Sequence, residues 1–383
     1  MSEAVSTGFE PPAYPYDRLG ELVAMAGRLE GGAVDLSIGT PCDPPPPAVL
    51  QALATSGAER GYPPSVGTGA LREAVTGWFD RRFGVDVAPG HVAACVGTKE
   101  LVAGLPHWLH LRRPDRDTVL YPAVSYPSYA MGAALAGCRA VAVPVDERWC
   151  LRLDAIDPTD AARALCLWSN TPGNPTGGLD DLASVAAWGR SHGVPVFSDE
   201  CYVEFTWSGD AVVPGGLPGH TILEHGAEGV IAVHSLSKRS NLAGVRVGFY
   251  AGAPDLVRYL SEVRKHAGLM VPGPAQAAAV AALADQAHVV AQRDRYRRRL
   301  ERMAGILSSM GVPSALPDGG FYLWVAAPGG DAWGLARRLA AELGVVSSPG
   351  EFYGDASAGF VRLAMVQPDE RLDRVAERAA AIG

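Results

Sequence analysis

The sequence predicts an α/β fold: a mostly parallel seven-stranded sheet between helices forms a large domain, with a smaller α+β domain beside it. Two features of the chain predict it. Short apolar runs alternate with helical patterns between residues 47 and 251, which is how a chain winding a parallel sheet reads. Near Ala275 the texture changes to long helices rich in Ala and Arg, QAAAVAALADQAHVVAQRDRYRRRLERMAGIL, followed by a compact mixture containing GGFYLWV and GFVRLAMV. With 383 residues, 48% of them hydrophobic, the chain has material for about two domains. We therefore divide it into an N-terminal arm (1–46) that joins the small domain, a large domain (47–274) and a small C-terminal domain (275–383).

Taken in order, residues 1–47 are dense in Pro and Gly and end in the turn-rich DLSIGTPCDPPPP, so this arm is expected to be mostly irregular. Helical patterns follow near 47–57, 69–83, 98–110 and 180–192. Seven apolar runs lie around and between them, at 91–96, 118–121, 140–144, 164–169, 194–198, 229–234 and 245–251. The arginine run at 293–302 falls on a helix and reads as a solvated face. No fixed-period repeat or low-complexity tract appears.

Composition excludes several classes of function. Lys plus Arg number 33 against 41 Asp plus Glu, a net charge of -8, which argues against a general nucleic-acid binder. The six cysteines, Cys42, Cys95, Cys138, Cys150, Cys166 and Cys201, form no C-x-x-C pair. That argues against a metal knuckle, a redox motif and a disulfide framework, and is in keeping with a reducing cytoplasm. The start, MSEAVSTGFEPPAYPYD, has acids and prolines where an export signal needs a basic start and an apolar run. Two long uncharged stretches, 118–138 and 266–284, contain Pro, Gly and polar residues and read as buried core, with no membrane partner expected.

In a parallel sheet, ligand groups gather beyond the carboxyl ends of the strands, so polar residues directly after apolar runs are the candidates. After HVAACV, Gly97 leads into Thr98-Lys99-Glu100 and a helix. A glycine turn feeding free N–H groups is an anion cup suited to phosphate; a plain threonine cap is the alternative. No nucleotide-binding G-x-x-x-x-G-K-[ST] loop and no G-x-G-x-x-G behind a strand occurs, so ATP and NAD find no support. After ALCLWS, the loop NTPGNPTG is stiffened by two prolines and two glycines. It either aims an amide such as Asn174 or is an ordinary Asn turn. After VPVFS comes Asp199, an acid at a buried strand end that needs a positive or hydrogen-bonding partner, unless it only caps a helix. Cys201, two residues on, reads as a small buried residue. After GVIAVH comes SLSKRSNLAGVR. Its Lys238, flanked by small hydroxyl residues, can be partly desolvated and made nucleophilic toward a carbonyl. Lys99, Lys238 and Lys265 are the only lysines, and Lys238 alone sits in such a loop.

The segments NTPGNPTG, SDECY, SLSKRSNLAGVRVGF and FVRLAM, in this order and at these separations, resemble the pyridoxal-phosphate aminotransferases of fold type I, class I/II, over nearly the whole chain. The resemblance implies pyridoxal 5′-phosphate as cofactor, small amino and keto acids as substrates, and no metal. It implies that Lys238 condenses with the cofactor aldehyde and moves a proton at the substrate α-carbon, while Asp199 pairs with the pyridine nitrogen. Tyr202 and Asn174 would bond the ring's phenolic oxygen, and Tyr126 of SYPSY would stack on the ring. The phosphate would lie on the N–H groups of Thr98 and Lys99, with Ser235, Ser237 and Arg246 around it. Arg362 of FVRLAM would clamp the substrate α-carboxylate, with Asn174 and the Gly39 backbone near it. Tyr62 matches a position that reaches the phosphate of a neighbouring subunit, which implies a homodimer with shared active sites.

A finer resemblance is to the actinobacterial N-succinyldiaminopimelate aminotransferases of lysine and cell-wall synthesis. It is carried by YPYD, DLSIGTPCDP, VGTKELVAGLP, SYPSYAMGAALAG, SLSKRSNLAG, RKHAGLMVPGPAQAA and GEFYG; GGFYLW and Thr171-Pro172-Gly173 depart from it. A succinylated dicarboxylate needs a cation besides Arg362, and Arg239, Lys265 and Lys99 are candidates. Aspartate, kynurenine or aromatic substrates, and a C–S β-lyase reaction on the same fold, stay open because Arg362 serves all of them. A cofactor-sensing regulator of this fold requires a preceding helix-turn-helix domain of about 60 residues, against a Pro-rich arm of about 40.

Overall fold

Runs such as ALCLWSN have no polar face to turn to solvent, and they lie in a sheet covered on both sides. The computed structural model describes residues 8–382. Its strands are β1 (Val34–Asp35), β2 (Val92–Cys95), β3 (Thr118–Pro122), β4 (Arg139–Val143), β5 (Ala164–Asn170), β6 (Val196–Asp199), β7 (Val230–Ser235), β8 (Gly248–Gly252), β9 (Tyr322–Ala326), β10 (Val345–Val346), β11 (Ser348–Pro349) and β12 (Phe360–Ala364). The seven apolar runs form one sheet in the order β2-β8-β7-β6-β5-β3-β4. Every pairing is parallel except those of β8, which runs against both β2 and β7. Consecutive strands β2 and β3 lie near opposite edges, so the winding reverses between them and opens a crevice at the carboxyl ends.

Helices Gly69–Phe83, Leu182–His192 and Gly273–Ala284 cover one face through Val75, Trp78, Val185, Ala186 and Ala278. Helices Thr98–Arg112, Ser128–Leu135 and Pro254–His266 cover the other through Leu101, Leu105, Tyr129 and Leu260. The helix Gly273–Ala284, which sequence texture assigns to the small domain, thus joins the core of the large sheet. Its small side chains suit it to close packing there.

Beyond it, helices Ala287–Ser309, Ala332–Leu343 and Asp369–Ile382 pack around the antiparallel sheet β11-β12-β9. From residue 8 on, the arm is more ordered than its prolines suggest. Leu19, Leu22 and the helix Gly20–Ala26 pack on Ala336 and Ala340, and β1 pairs in parallel with β10. All six cysteines are unpaired. No described helix is long and apolar enough to cross a membrane.

The arginine run is not wholly a solvated face. The helical period turns Arg299 inward with Tyr296, Leu300 and Met303. There it meets Asp43 at 2.6 and 2.9 Å and Asp369 at 2.6 Å, tying the arm to the C-terminal helices. Arg297 and Arg302 remain at the surface, paired with Glu301 and Asp373.

A second buried cluster centres on Glu204, 3% exposed. It accepts from Arg82 Nε at 2.9 Å, Arg239 Nε at 3.0 Å and Trp78 Nε1 at 3.1 Å. Burial works to raise its pKa, but the two guanidiniums hold it at about 2. A depressed carboxylate pKa stabilises the fold above the unfolded value of about 4.3, and this contribution fades as pH falls toward 2. Glu204→Gln leaves two buried guanidiniums unpaired. We expect a loss of about 3–5 kcal/mol in urea unfolding at pH 7, narrowing as the pH is lowered through that window. Equal stability of variant and parent at pH 7 would refute the ionic role.

Candidate active site

The carboxyl ends of β5, β6 and β7 and the helix start after β2 surround a cavity of about 470 Å³. β7 ends at Ser235, whose hydroxyl accepts from the Ser237 N–H at 3.2 Å and caps the short helix Leu236–Arg239. Fully buried Leu236 anchors that helix. Neighbouring residues on a helix point about 100° apart. Lys238 therefore faces the cavity, while Arg239 turns away to Glu204. Half-buried at the cavity wall, the Lys238 amine donates to the Gly39 carbonyl. Its pKa falls to about 8, first through desolvation and further through Arg362 and Arg246, against Cys201 and Asp199.

Asp199 ends β6, 7% exposed. It accepts from the Tyr129 hydroxyl at 2.8 Å and the Cys201 N–H at 3.2 Å. No Lys, Arg or His among the described residues forms an ion pair with it. Burial raises its pKa, and the hydrogen bonds from Cys201 and Tyr129 oppose the rise. In the adjoining loop, Asn170 Nδ2 donates to the Asp199 carbonyl at 2.9 Å, and Asn170 Oδ1 accepts from the Asn174 N–H at 2.8 Å. This fixes Asn174, whose Oδ1 accepts from Arg362 Nη1 at 2.7 Å.

Arg362 enters from β12, 2% exposed. It lies between the rings of Tyr322 (4.3 Å) and Tyr353 (4.8 Å), and its Nε is buried with no partner. The Tyr202 hydroxyl is 2.8 Å from that of Tyr322. At the helix start, Gly97 has φ +75, and a Cβ there would come within 2.0 Å of the Arg246 guanidinium. The first N–H groups of a helix have no intrahelical acceptor, and Thr98 and Lys99 at this helix start line the same cavity as Ser235, Ser237 and Arg246. The Lys99 side chain leaves this cup and lies over Tyr14 (5.1 Å) and Tyr126 (5.9 Å). Desolvation works to lower its pKa, but Tyr126 and Tyr14 raise it.

Every residue selected from sequence for the catalytic and cofactor sites lines this cavity except Tyr62, which lies outside it and is 97% exposed. Of the three candidate cations for a distal carboxylate, only Lys99 is there. Arg239 is committed to Glu204, and Lys265, 59% exposed, pairs with Glu262 on the surface. Sequence reasoning missed Tyr129, Tyr322 and Tyr16. Tyr129 had a signal: it follows Tyr126 by one helical turn.

The donor set fits a charged planar cofactor. An unpaired buried carboxylate suits a cationic ring nitrogen, a lowered lysine suits an aldehyde, and the cup of N–H groups, hydroxyls and a guanidinium suits a phosphate.

Known proteins share this fold. A probable N-succinyldiaminopimelate aminotransferase from Thermus thermophilus superposes with a TM-score of 0.81 at 32% identity, covering 96% of this chain and 99% of that one. The fold is that of the pyridoxal-phosphate-dependent transferases of fold type I. Residues 32–378 match the model for aminotransferases of class I and II, and the chain belongs to that family. Two relatives are each 41% identical. The probable aminotransferase Rv1178 of Mycobacterium tuberculosis matches over 97% of this chain and 84% of its own length. The 4-dedimethylamino-4-oxo-anhydrotetracycline transaminase OxyQ of Streptomyces rimosus matches over 96% and 99%. This protein is thus an aminotransferase that depends on pyridoxal phosphate and acts on small amino and keto acids.

Proposed function

We propose that the enzyme passes an amino group from glutamate to a succinylated keto dicarboxylate, giving N-succinyl-LL-2,6-diaminopimelate in lysine and diaminopimelate synthesis. The observation that carries this reading is a cation in the cavity beyond Lys238, Arg246 and Arg362: Lys99, whose amine is held by Tyr14 and Tyr126. The likeness to the Thermus thermophilus protein supports it.

Bound pyridoxal phosphate supplies an electron sink for the substrate α-carbon. Asp199 would hold the ring nitrogen protonated, and Tyr202 and Asn174 would set the polarity around the phenolic oxygen. Tyr126, in the cavity wall, would cover one ring face. Thr98, Lys99, Ser235, Ser237 and Arg246 hold the phosphate. Arg362, beside Asn174 and the Gly39 backbone, grips the α-carboxylate and turns the α-hydrogen toward Lys238. With a pKa of about 8, that amine takes and returns a proton near neutral pH. We also assign Tyr62 to the phosphate of a second subunit in a homodimer; its near-complete exposure leaves it free for that contact.

The identity to OxyQ favours a second reading, in which a ring ketone is the acceptor. Such a ketone carries neither the α-carboxylate that Arg362 grips nor the distal carboxylate proposed for Lys99, so Lys99 would be dispensable. A coupled assay with glutamate, a panel of keto acids including the succinylated precursor, and the 4-oxo-anhydrotetracycline decides between them. We expect the succinylated dicarboxylate to give the highest kcat/KM. Lys99→Met keeps the backbone N–H of the phosphate cup and should raise the KM for that substrate about tenfold, about 1.4 kcal/mol, with pyruvate unaffected. An unchanged KM, or a preference for the tetracycline ketone, would overturn the first reading.

A further inference from the structure

The segment GGFYLWV, where the chain departs from its finer resemblance, delivers Tyr322 to the cavity. Tyr322 opens β9 and is 1% exposed. Its ring lies 4.3 Å from the Arg362 guanidinium carbon. Its hydroxyl is 2.8 Å from that of Tyr202 and fills the space over Gly39, where a Cβ would come within 2.1 Å of it. One side chain therefore touches both the group proposed for the substrate carboxylate and the group proposed for the cofactor ring, one from each domain.

The hydroxyl pair has a direction to choose. A phenol carries one hydrogen and accepts through its lone pairs, and Tyr202 is the only hydrogen-bond partner of the Tyr322 hydroxyl among the described residues. If Tyr322 donates, Tyr202 keeps its own hydrogen for the cavity. If Tyr202 donates, that hydrogen is turned away from the ring oxygen it is proposed to bond. The first arrangement satisfies both hydroxyls once a cofactor oxygen is present.

We propose that Tyr322 is a positioning residue that couples the carboxylate clamp to the cofactor ring: its face holds the Arg362 guanidinium, and its hydroxyl donates to Tyr202 and directs the Tyr202 hydrogen into the cavity. This rests on the roles proposed for Arg362 and Tyr202. The ring contributes through cation–π attraction in a desolvated setting, and the hydroxyl acts only through Tyr202.

A double-mutant cycle on the holoenzyme tests it. Tyr322→Phe, Tyr322→Leu, Tyr202→Phe and the double variants are compared by single-turnover rate with glutamate, by KM, and by the visible absorption maximum of the bound cofactor. Tyr322→Phe should slow the half-reaction about tenfold, hold KM within about twofold, and displace the absorption maximum in the same direction as Tyr202→Phe. In the Tyr202→Phe background it should have no further effect. Tyr322→Leu should also raise the glutamate KM about tenfold in both backgrounds. An equal loss from Tyr322→Phe in both backgrounds would show that the hydroxyl acts without Tyr202, as it would by touching substrate directly, and would overturn the coupling. An unchanged KM in Tyr322→Leu would overturn the clamp contact. If Tyr202→Phe itself leaves rate and spectrum unchanged, the reading of Tyr202 fails and takes the hydroxyl half with it, while the KM result still decides the ring half.

Discussion

Lys238→Ala protein mixed with pyridoxal phosphate shows none of the visible absorption of the holoenzyme and converts no glutamate to 2-oxoglutarate. We expect this because neither of the other two lysines can stand in. The Lys99 amine is held over Tyr14 and Tyr126, and Lys265 lies on the surface beside Glu262. The same lysine sets a pH dependence. An amine attacks a carbonyl only when deprotonated, and lowering its pKa to about 8, from an ordinary value of about 10.4, extends the reactive range downward. The rate at which cofactor-free enzyme takes up the aldehyde should therefore rise through about pH 8 and level off above it. Turnover of Lys238→Ala near the parent rate would remove the assignment, and a rise centred near pH 10 would show that the cavity does not perturb the amine.

The seven strands were legible because each is buried on both faces and reads as an apolar run closed by polar residues. The direction of β8 was not, since an apolar run carries no polarity along the chain; only its pairing with β2 and β7 reveals it. Lys238 and Asp199 could be found because chemistry at strand ends leaves a local trace, a titratable group directly after buried residues. Arg239, next to Lys238, has the same local setting, yet the helical turn sends it across to Glu204, and nothing nearby in sequence announces a partner 35 residues away. Tyr322 left no trace at all. The role proposed for it depends on Tyr202, 120 positions earlier, and on the absence of a side chain at Gly39. Arg299 was misread for a related reason: a run of arginines hides which of them the helical period turns inward.

Asp199→Ala should leave the fold intact and remove about 4 kcal/mol from the chemical step, a fall in kcat of about a thousandfold at saturating cofactor. The contrast with Glu204 explains why one carboxylate is expected to matter for chemistry and the other for stability. Glu204 is neutralised within the chain by Arg82 and Arg239, so its removal strands two cations. Among the described residues Asp199 has only neutral donors, the Tyr129 hydroxyl and the Cys201 N–H, and burial already drives it toward its protonated form. Truncating it removes an unfavourably desolvated group. The cost is two unsatisfied donors, the Tyr129 hydroxyl and the Cys201 N–H, of about 1 kcal/mol each, set against the desolvation that is relieved, so the melting temperature of the cofactor-free protein should change little. In the role proposed for it, the carboxylate becomes favourable only when a cationic ring nitrogen lies against it. Pyridoxal phosphate should therefore raise the melting temperature of the parent by more than that of Asp199→Ala, because a ligand stabilises in proportion to its affinity for the folded state. An N-methylated cofactor, whose ring nitrogen keeps a fixed positive charge, should restore part of the lost rate. Kinetics unchanged from the parent, or no recovery with the methylated ring, would show that the carboxylate at 199 does not govern the charge of that nitrogen.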